Sequence, residues 1–279
     1  MKKKIIGIFV CVLMVSTIVI PVTALTDRHD IRVSSYGANI PIWEKGDSWT
    51  YHFTESRTYA YNYKLSGDLT FKVVNDSGDS YLLEAATKPH GVFDLGGFGL
   101  KTTRFSSISM KLKMRKDDLG LESFLEKIKG IFLLKIGPVT LPIPVHFALN
   151  LNIEFDPTWA IIPFPLFDGK YGNLSGTEIL HIKVYAHLFW GLIPVFGPQN
   201  YSIPLTPVPY TCSVEQIDVE GSTFDVYNVT AEWMDGSRFV SYYAEDVGNV
   251  VKELILIPYG GGEVWHSLVL ELKEWSYSA

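Results

Sequence analysis

The sequence predicts a mainly β protein, a large curved antiparallel sheet or half-barrel with one short amphipathic helix. Three observations lead there. Apolar and polar residues alternate at period two along most of the chain, which marks strands with one buried face. Short polar turns such as Asp235-Gly236 and Val247-Gly248-Asn249 separate these runs, as hairpins require. A helical period occurs once, between Leu121 and Phe132.

The chain begins with Lys2-Lys3-Lys4, followed from Ile5 to Ala24 by residues without charge and closed by Pro21 and Val22-Thr23-Ala24. A basic start, an apolar run and small residues in that order predict a signal peptide over residues 1–24. An uncleaved N-terminal membrane anchor is the alternative, because about 20 apolar residues are long enough to cross a bilayer. Cleavage would remove Cys11 and leave Cys212 alone, so the mature chain has no intramolecular disulfide and its stability must come from its core. Taking the three leader lysines from 24 Lys+Arg against 30 Asp+Glu leaves a formal charge of about −9. That charge argues against nucleic acid as the main partner. The short basic start points to a prokaryote. Asn75, Asn173, Asn200 and Asn228 each open an Asn-x-Ser/Thr sequon, a glycosylation acceptor in an export pathway that has the transferase, which fits an archaeal cell surface.

Residues 25–45 show no clear period and read as a flexible lead-in. After Gly46-Asp47, Trp49, Tyr51 and Phe53 alternate with Thr50, His52 and Thr54, and the pattern repeats through Tyr59 to Leu65 and Leu69 to Val73. The cluster Asn75-Asp76-Ser77-Gly78 makes a turn, and Tyr81 to Ala86 is its hairpin partner. From Phe105 to Arg115, Ile108, Met110, Leu112 and Met114 occupy one face and Ser107, Ser109, Lys111 and Lys113 the other. Leu121, Phe124, Leu125, Ile128 and Phe132 then fall at helical spacing, so a helix is expected from Asp117 to Gly130 with Asp117 and Asp118 at its N-terminal end. Strands return at Phe147 to Phe155 and Leu180 to Leu188, and a meander of five more runs from Thr211 to Trp275. Residues 46–279 thus form one β-rich domain, or two half-sheets meeting near 160–170.

Two segments, Ile131 to Phe167 and Phe189 to Tyr210, combine proline with apolar and aromatic residues. Proline keeps them out of central ladder positions, yet they are too apolar for solvated loops. Trp159, Phe164, Phe167, Phe189, Trp190 and Phe196 are therefore the candidate binding residues, lining a cavity or groove for a hydrophobic molecule such as a lipid. The same residues also suit a cap that buries its own aromatics, or a patch that docks a membrane or a surface protein.

Catalytic signatures are lacking in the sequence. The histidines His29, His52, His90, His146, His181, His187 and His266 have no metal-site spacing, and no nucleophile elbow, phosphate loop or dinucleotide fingerprint occurs. Gly96-Gly97-Phe98-Gly99 reads as a turn, and Asp117, Asp118 and Glu122 as helix-capping and solubilising charges. No enzyme, cofactor or metal site is expected.

Gly46-Asp47-Ser48-Trp49-Thr50-Tyr51 and Tyr242-Tyr243-Ala244-Glu245-Asp246-Val247-Gly248-Asn249-Val250-Val251-Lys252 resemble strand patterns of secreted half-barrel proteins related to the LolA- and LppX-type lipoprotein carriers. The resemblance implies a strongly curved antiparallel sheet around an apolar cavity that takes lipid or acyl chains. The expectation is thus an exported, non-enzymatic protein that binds a hydrophobic ligand, with a cell-surface structural or interaction domain as the alternative.

Overall fold

The computed structural model describes residues 37–57, 62–76, 78–95, 100–136, 139–159, 162–174, 179–188, 193–203, 207–233, 235–259 and 263–277. The expected signal peptide lies outside the described residues. The strands are β1 (Ser48–Arg57), β2 (Asn62–Asn75), β3 (Ser80–Thr87), β4 (His90–Leu95), β5 (Leu100–Arg115), β6 (Leu121–Ile136), β7 (Val139–Trp159) and β8 (Tyr171–Leu174). They continue with β9 (Ile179–Leu188), β10 (Ile193–Ile203), β11 (Val208–Val219), β12 (Ser222–Glu232), β13 (Arg238–Ala244), β14 (Asn249–Tyr259) and β15 (Glu263–Ser276).

All of them join one antiparallel sheet, in the order β10-β9-β7-β6-β5-β3-β2-β1-β15-β14-β13-β12-β11-β8, which is not closed into a barrel. β3 and β4 lie end to end, each pairing with both β2 and β5. Lys88-Pro89 separates them, and proline has no N–H to give a ladder. The middle of the sheet joins the two ends of the chain, because β1 pairs with β15 on one side and β2 on the other.

Alternation sorts the side chains onto two faces. Trp49, Tyr51 and Phe53 of β1, Met110, Leu112 and Met114 of β5, and Leu268, Leu270 and Leu272 of β15 are all buried in one core cluster. That cluster runs from Leu149 on β7 to Tyr210 on β11, so the inner face holds a continuous core.

The inner face is also covered by two segments outside the ladders. Within the expected lead-in, residues 37–45 are tied down: Ala38 pairs with Leu166, and Trp43 is buried between Trp49 and Tyr81, with ring centroids at 5.1 and 5.3 Å. Trp43 Nε1 donates to the Gly248 carbonyl at 2.9 Å, and Trp49 Nε1 donates to the Val247 carbonyl at 2.9 Å. Tyr51 donates its hydroxyl hydrogen to the Val250 carbonyl at 2.8 Å. The two sequence motifs around Trp49 and Gly248 are therefore one packed unit, some 200 residues apart in the chain.

Two expectations are overturned. Proline does not keep the segment from Ile131 out of central ladder positions, because β7, with Pro142, Pro144 and Pro157, is an internal strand paired with β6 and β9. The other concerns the expected helix. No helix occurs among the described residues, and the segment from Asp117 to Gly130 is a tight turn followed by strand β6. Asp117 and Asp118 are turn residues held by Arg115, Gly120 donates its N–H to Asp118 Oδ1 at 2.7 Å, and Leu119 takes φ 49°. Within β6 the true period is two, with Phe124, Glu126 and Ile128 buried, and Leu125 on the outer face. A carboxylate facing in and a leucine facing out imitated a helical stripe. A register shift near Leu121 brings that residue onto the buried face as well. β5 decides the outcome, because it offers β6 an antiparallel ladder from Leu100 to Met114, interrupted by three register shifts.

Candidate functional site

Of the expected aromatic residues, Phe164 is part of the core. Residues 162–166 form a short irregular segment in which Ile162, Phe164 and Leu166 are buried, and the Phe164 ring meets Tyr243 edge-on at 4.9 Å. Lys170 clamps this segment. It is itself buried, and its Nζ donates to the carbonyls of Pro163 at 2.6 Å and Pro165 at 2.9 Å while lying 5.5 Å from the centre of the half-buried Phe167 ring. Burial pulls the Lys170 pKa down to about 8. Asp168 Oδ1 accepts the Val214 N–H at 3.1 Å, and the Lys170 carbonyl accepts the Cys212 N–H at 2.7 Å, which fixes the clamp to β11.

Trp159 stands apart, at the end of β7, half-buried and stacked on Phe155 with centroids 5.6 Å apart. Phe196 lies on β10 opposite Ala186, and its side chain lies outside the description. Phe189 and Trp190 lie outside the described residues. The structure thus places Phe164 and Phe167 on one clamped segment and Trp159 with Phe155 in a separate stack.

A buried polar pair escaped the sequence reading. Glu55 and His266 face each other across β1 and β15, Oε1 to Nε2 at 2.9 Å, both side chains fully enclosed. Their positions were legible in principle, since Glu55 is in phase with Tyr51 and Phe53, and His266 with Leu268 and Leu270. Both side chains are enclosed in the core, away from solvent. Cys212 is equally enclosed, and burial pushes its thiol up to about 12, so it is not a nucleophile. Among the described residues no group of three or more His, Cys, Asp or Glu side chains is placed to hold a metal ion.

The outer face offers a different kind of site. Successive registers set Lys72, Glu84, Lys111, Leu125, Asn152 and Lys183 in one row across β2, β3, β5, β6, β7 and β9. Beside this row, the small residues Thr70, Ala86 and Ser109 leave a groove of about 310 Å³ rimmed by Lys72, Lys111 and Lys127. Glu84 pairs with Lys111, leaving the rim positive on balance.

No family model, no curated protein and no solved structure matches this chain.

The charge is also uneven across the sheet. β5 carries Lys101, Arg104, Lys111, Lys113 and Arg115 and no acidic residue, whereas β11 and β12 carry Glu215, Asp218, Asp225 and Glu232 and no basic one. β5 is thus basic in sequence, with Lys111, Lys113 and Arg115 paired to Glu84, Glu122, Asp117 and Asp118, and the groove beside it keeps Lys72 and Lys127 on its rim.

Proposed function

We propose that this protein is an exported, non-enzymatic interaction domain that docks an acidic partner protein at the cell surface through the outer face of β2, β3, β5 and β6. The lysine-rimmed groove carries the reading, because three ammonium groups around a floor of small residues suit a carboxylate-bearing segment. The filled inner face supports it: Trp43, Ile162, Phe164 and Leu166 occupy the space above the strands. A photo-crosslinking side chain at Ser109, on intact cells, should capture an acid-rich protein, and the yield should fall with salt because the rim charges are exposed. The double variant K111E/K127E should lose the product. Equal capture by that variant would overturn the proposal.

A second reading is favoured by one observation, the half-buried Phe155–Trp159 stack. It gives an apolar ligand such as a fatty acid a planar surface, in keeping with the carrier resemblance. Replacing Trp159 by alanine should weaken uptake of a fluorescent fatty-acid probe without loss of fold. Unchanged affinity would rule this surface out.

A further inference from the structure

An open sheet has two edge strands, each with a row of unpaired N–H and C=O groups that invites a second sheet. Among the described residues the edges are β10 on one side and, on the other, β8 together with the part of β11 beyond Thr211 that β8 does not cover, which carries Glu215 and Asp218. Proteins commonly guard such edges with charge, but β8 (YGNL) and β10 (IPVFGPQNYSI) have no charged residue. Other guards are present: β8 is four residues long, while β10 contains Pro194 and Pro198 and two breaks in register.

Two of the four sequons fall where this need lies, while Asn75, exposed at the end of the internal strand β2, does not. Asn173 lies on β8 and Asn200 on β10, both exposed, so that each end strand of the sheet carries one. Asn200 stands opposite the exposed Lys183, and Asn173 opposite the exposed Pro209, which directs both amides to solvent and away from the core. Tyr171 shares the outward face of β8 two residues before Asn173 and is 82% exposed, offering a ring on which a first sugar can lie. Asn228 is different. It lies on β12 inside the sheet, half-buried, with its amide nitrogen donating to Glu215 and its oxygen accepting from Thr230.

We propose that Asn173 and Asn200 are N-glycosylated and that their glycans keep the two sheet edges from pairing with other chains, while Asn228 stays unmodified. The inference rests on the export expected from the leader. In the transfer, Asn Nδ2 bonds to the anomeric carbon of a lipid-phosphate-linked oligosaccharide. The bond from that carbon to the phosphate oxygen breaks, the lipid phosphate leaves with the electron pair, and the amide nitrogen releases one proton.

The test is expression of the full chain in a host that N-glycosylates exported proteins, followed by intact mass and peptide mapping. Export is read separately from loss of the leader, so a chain that is never exported refutes the export reading and one that is exported without glycans refutes only the inference. The expected result is a mass increase located at Asn173 and Asn200 and none at Asn228. The double variants N173Q/N200Q and S175A/S202A remove the sequons in different ways. Both should lose the monomer peak in size exclusion at concentrations where the parent keeps it, with the thermal midpoint unchanged. Absence of glycan at either edge, or variants as monomeric as the parent, overturns the proposal.

Discussion

Gly248 offers a test of how the centre of the fold is held. It turns the chain between β13 and β14 at φ 63°, accepts the Trp43 indole N–H, and has the Tyr277 ring against its Cα. An added Cβ would meet Tyr277 ring atoms at 2.4 Å, so Gly248→Ala must move that ring. Two costs follow. A side chain in the left-handed region costs roughly 1–2 kcal/mol. Displacing a half-buried tyrosine from its place beside Trp49 forfeits about half of its burial, about 1–2 kcal/mol at 25 cal/mol per Å². The sum is about 2–4 kcal/mol, to be read from urea unfolding of the chain from Leu25 onward, followed by tryptophan fluorescence. Repeating the substitution in a Tyr277→Ala background separates the two costs: only the backbone strain should remain, giving a coupling of about 1–2 kcal/mol between the sites. A cost below about 0.5 kcal/mol for Gly248→Ala, or two substitutions that simply add, would show that the turn is not gripped in this way.

The remaining predictions concern buried polar groups. With Lys170 held at a pKa of about 8, an unfolded lysine near 10.4 keeps a proton that the native one has lost, so stability should rise as pH passes 8, until the Cys212 thiol, held up to about 12 while an unfolded thiol ionises near 8.5, cancels the gain by about pH 9. Above pH 10 the sign reverses, because burial pushes Tyr210 up to about 12 and unfolded tyrosines ionise first. Urea midpoints across pH 7–11 check this, and Lys170→Met should abolish the rise. Glu55→Gln or His266→Leu alone should destabilise by about 3–5 kcal/mol, as removal of one member of an enclosed pair does, while an apolar replacement of both should cost less than the sum; differential scanning calorimetry decides. Cys212 should react with a thiol reagent at neutral pH only after unfolding, since its thiol is buried and its pKa is near 12. Far-ultraviolet circular dichroism of the intact protein and of its variant Glu126→Leu should show the same β signal; a gain of helix would contradict the hairpin of β5 and β6.

The sequence by itself determined that this is an antiparallel β protein and which face of most strands is buried. Alternation is a local property: in β1, β5 and β15 the residues that must leave water recur every second position, and no partner is needed to read them. The turns at Gly236 and Gly248 were legible for the same reason, since a positive φ selects its residue locally. Tertiary structure decided the rest. Residues 121–132 fit either period, and β5 resolved the ambiguity by supplying a ladder, with Glu126 placed inward against its hydrophobicity. Phe164 was recognisable as apolar but not as core, because its burial depends on Tyr243 and Ala38, distant in the chain, and on the Lys170 clamp. The lysine groove and the sequons on the two end strands are products of strand order. Pairings such as β1 with β15 join segments about 200 residues apart, and no local period encodes which strands become neighbours or which remain at the edge.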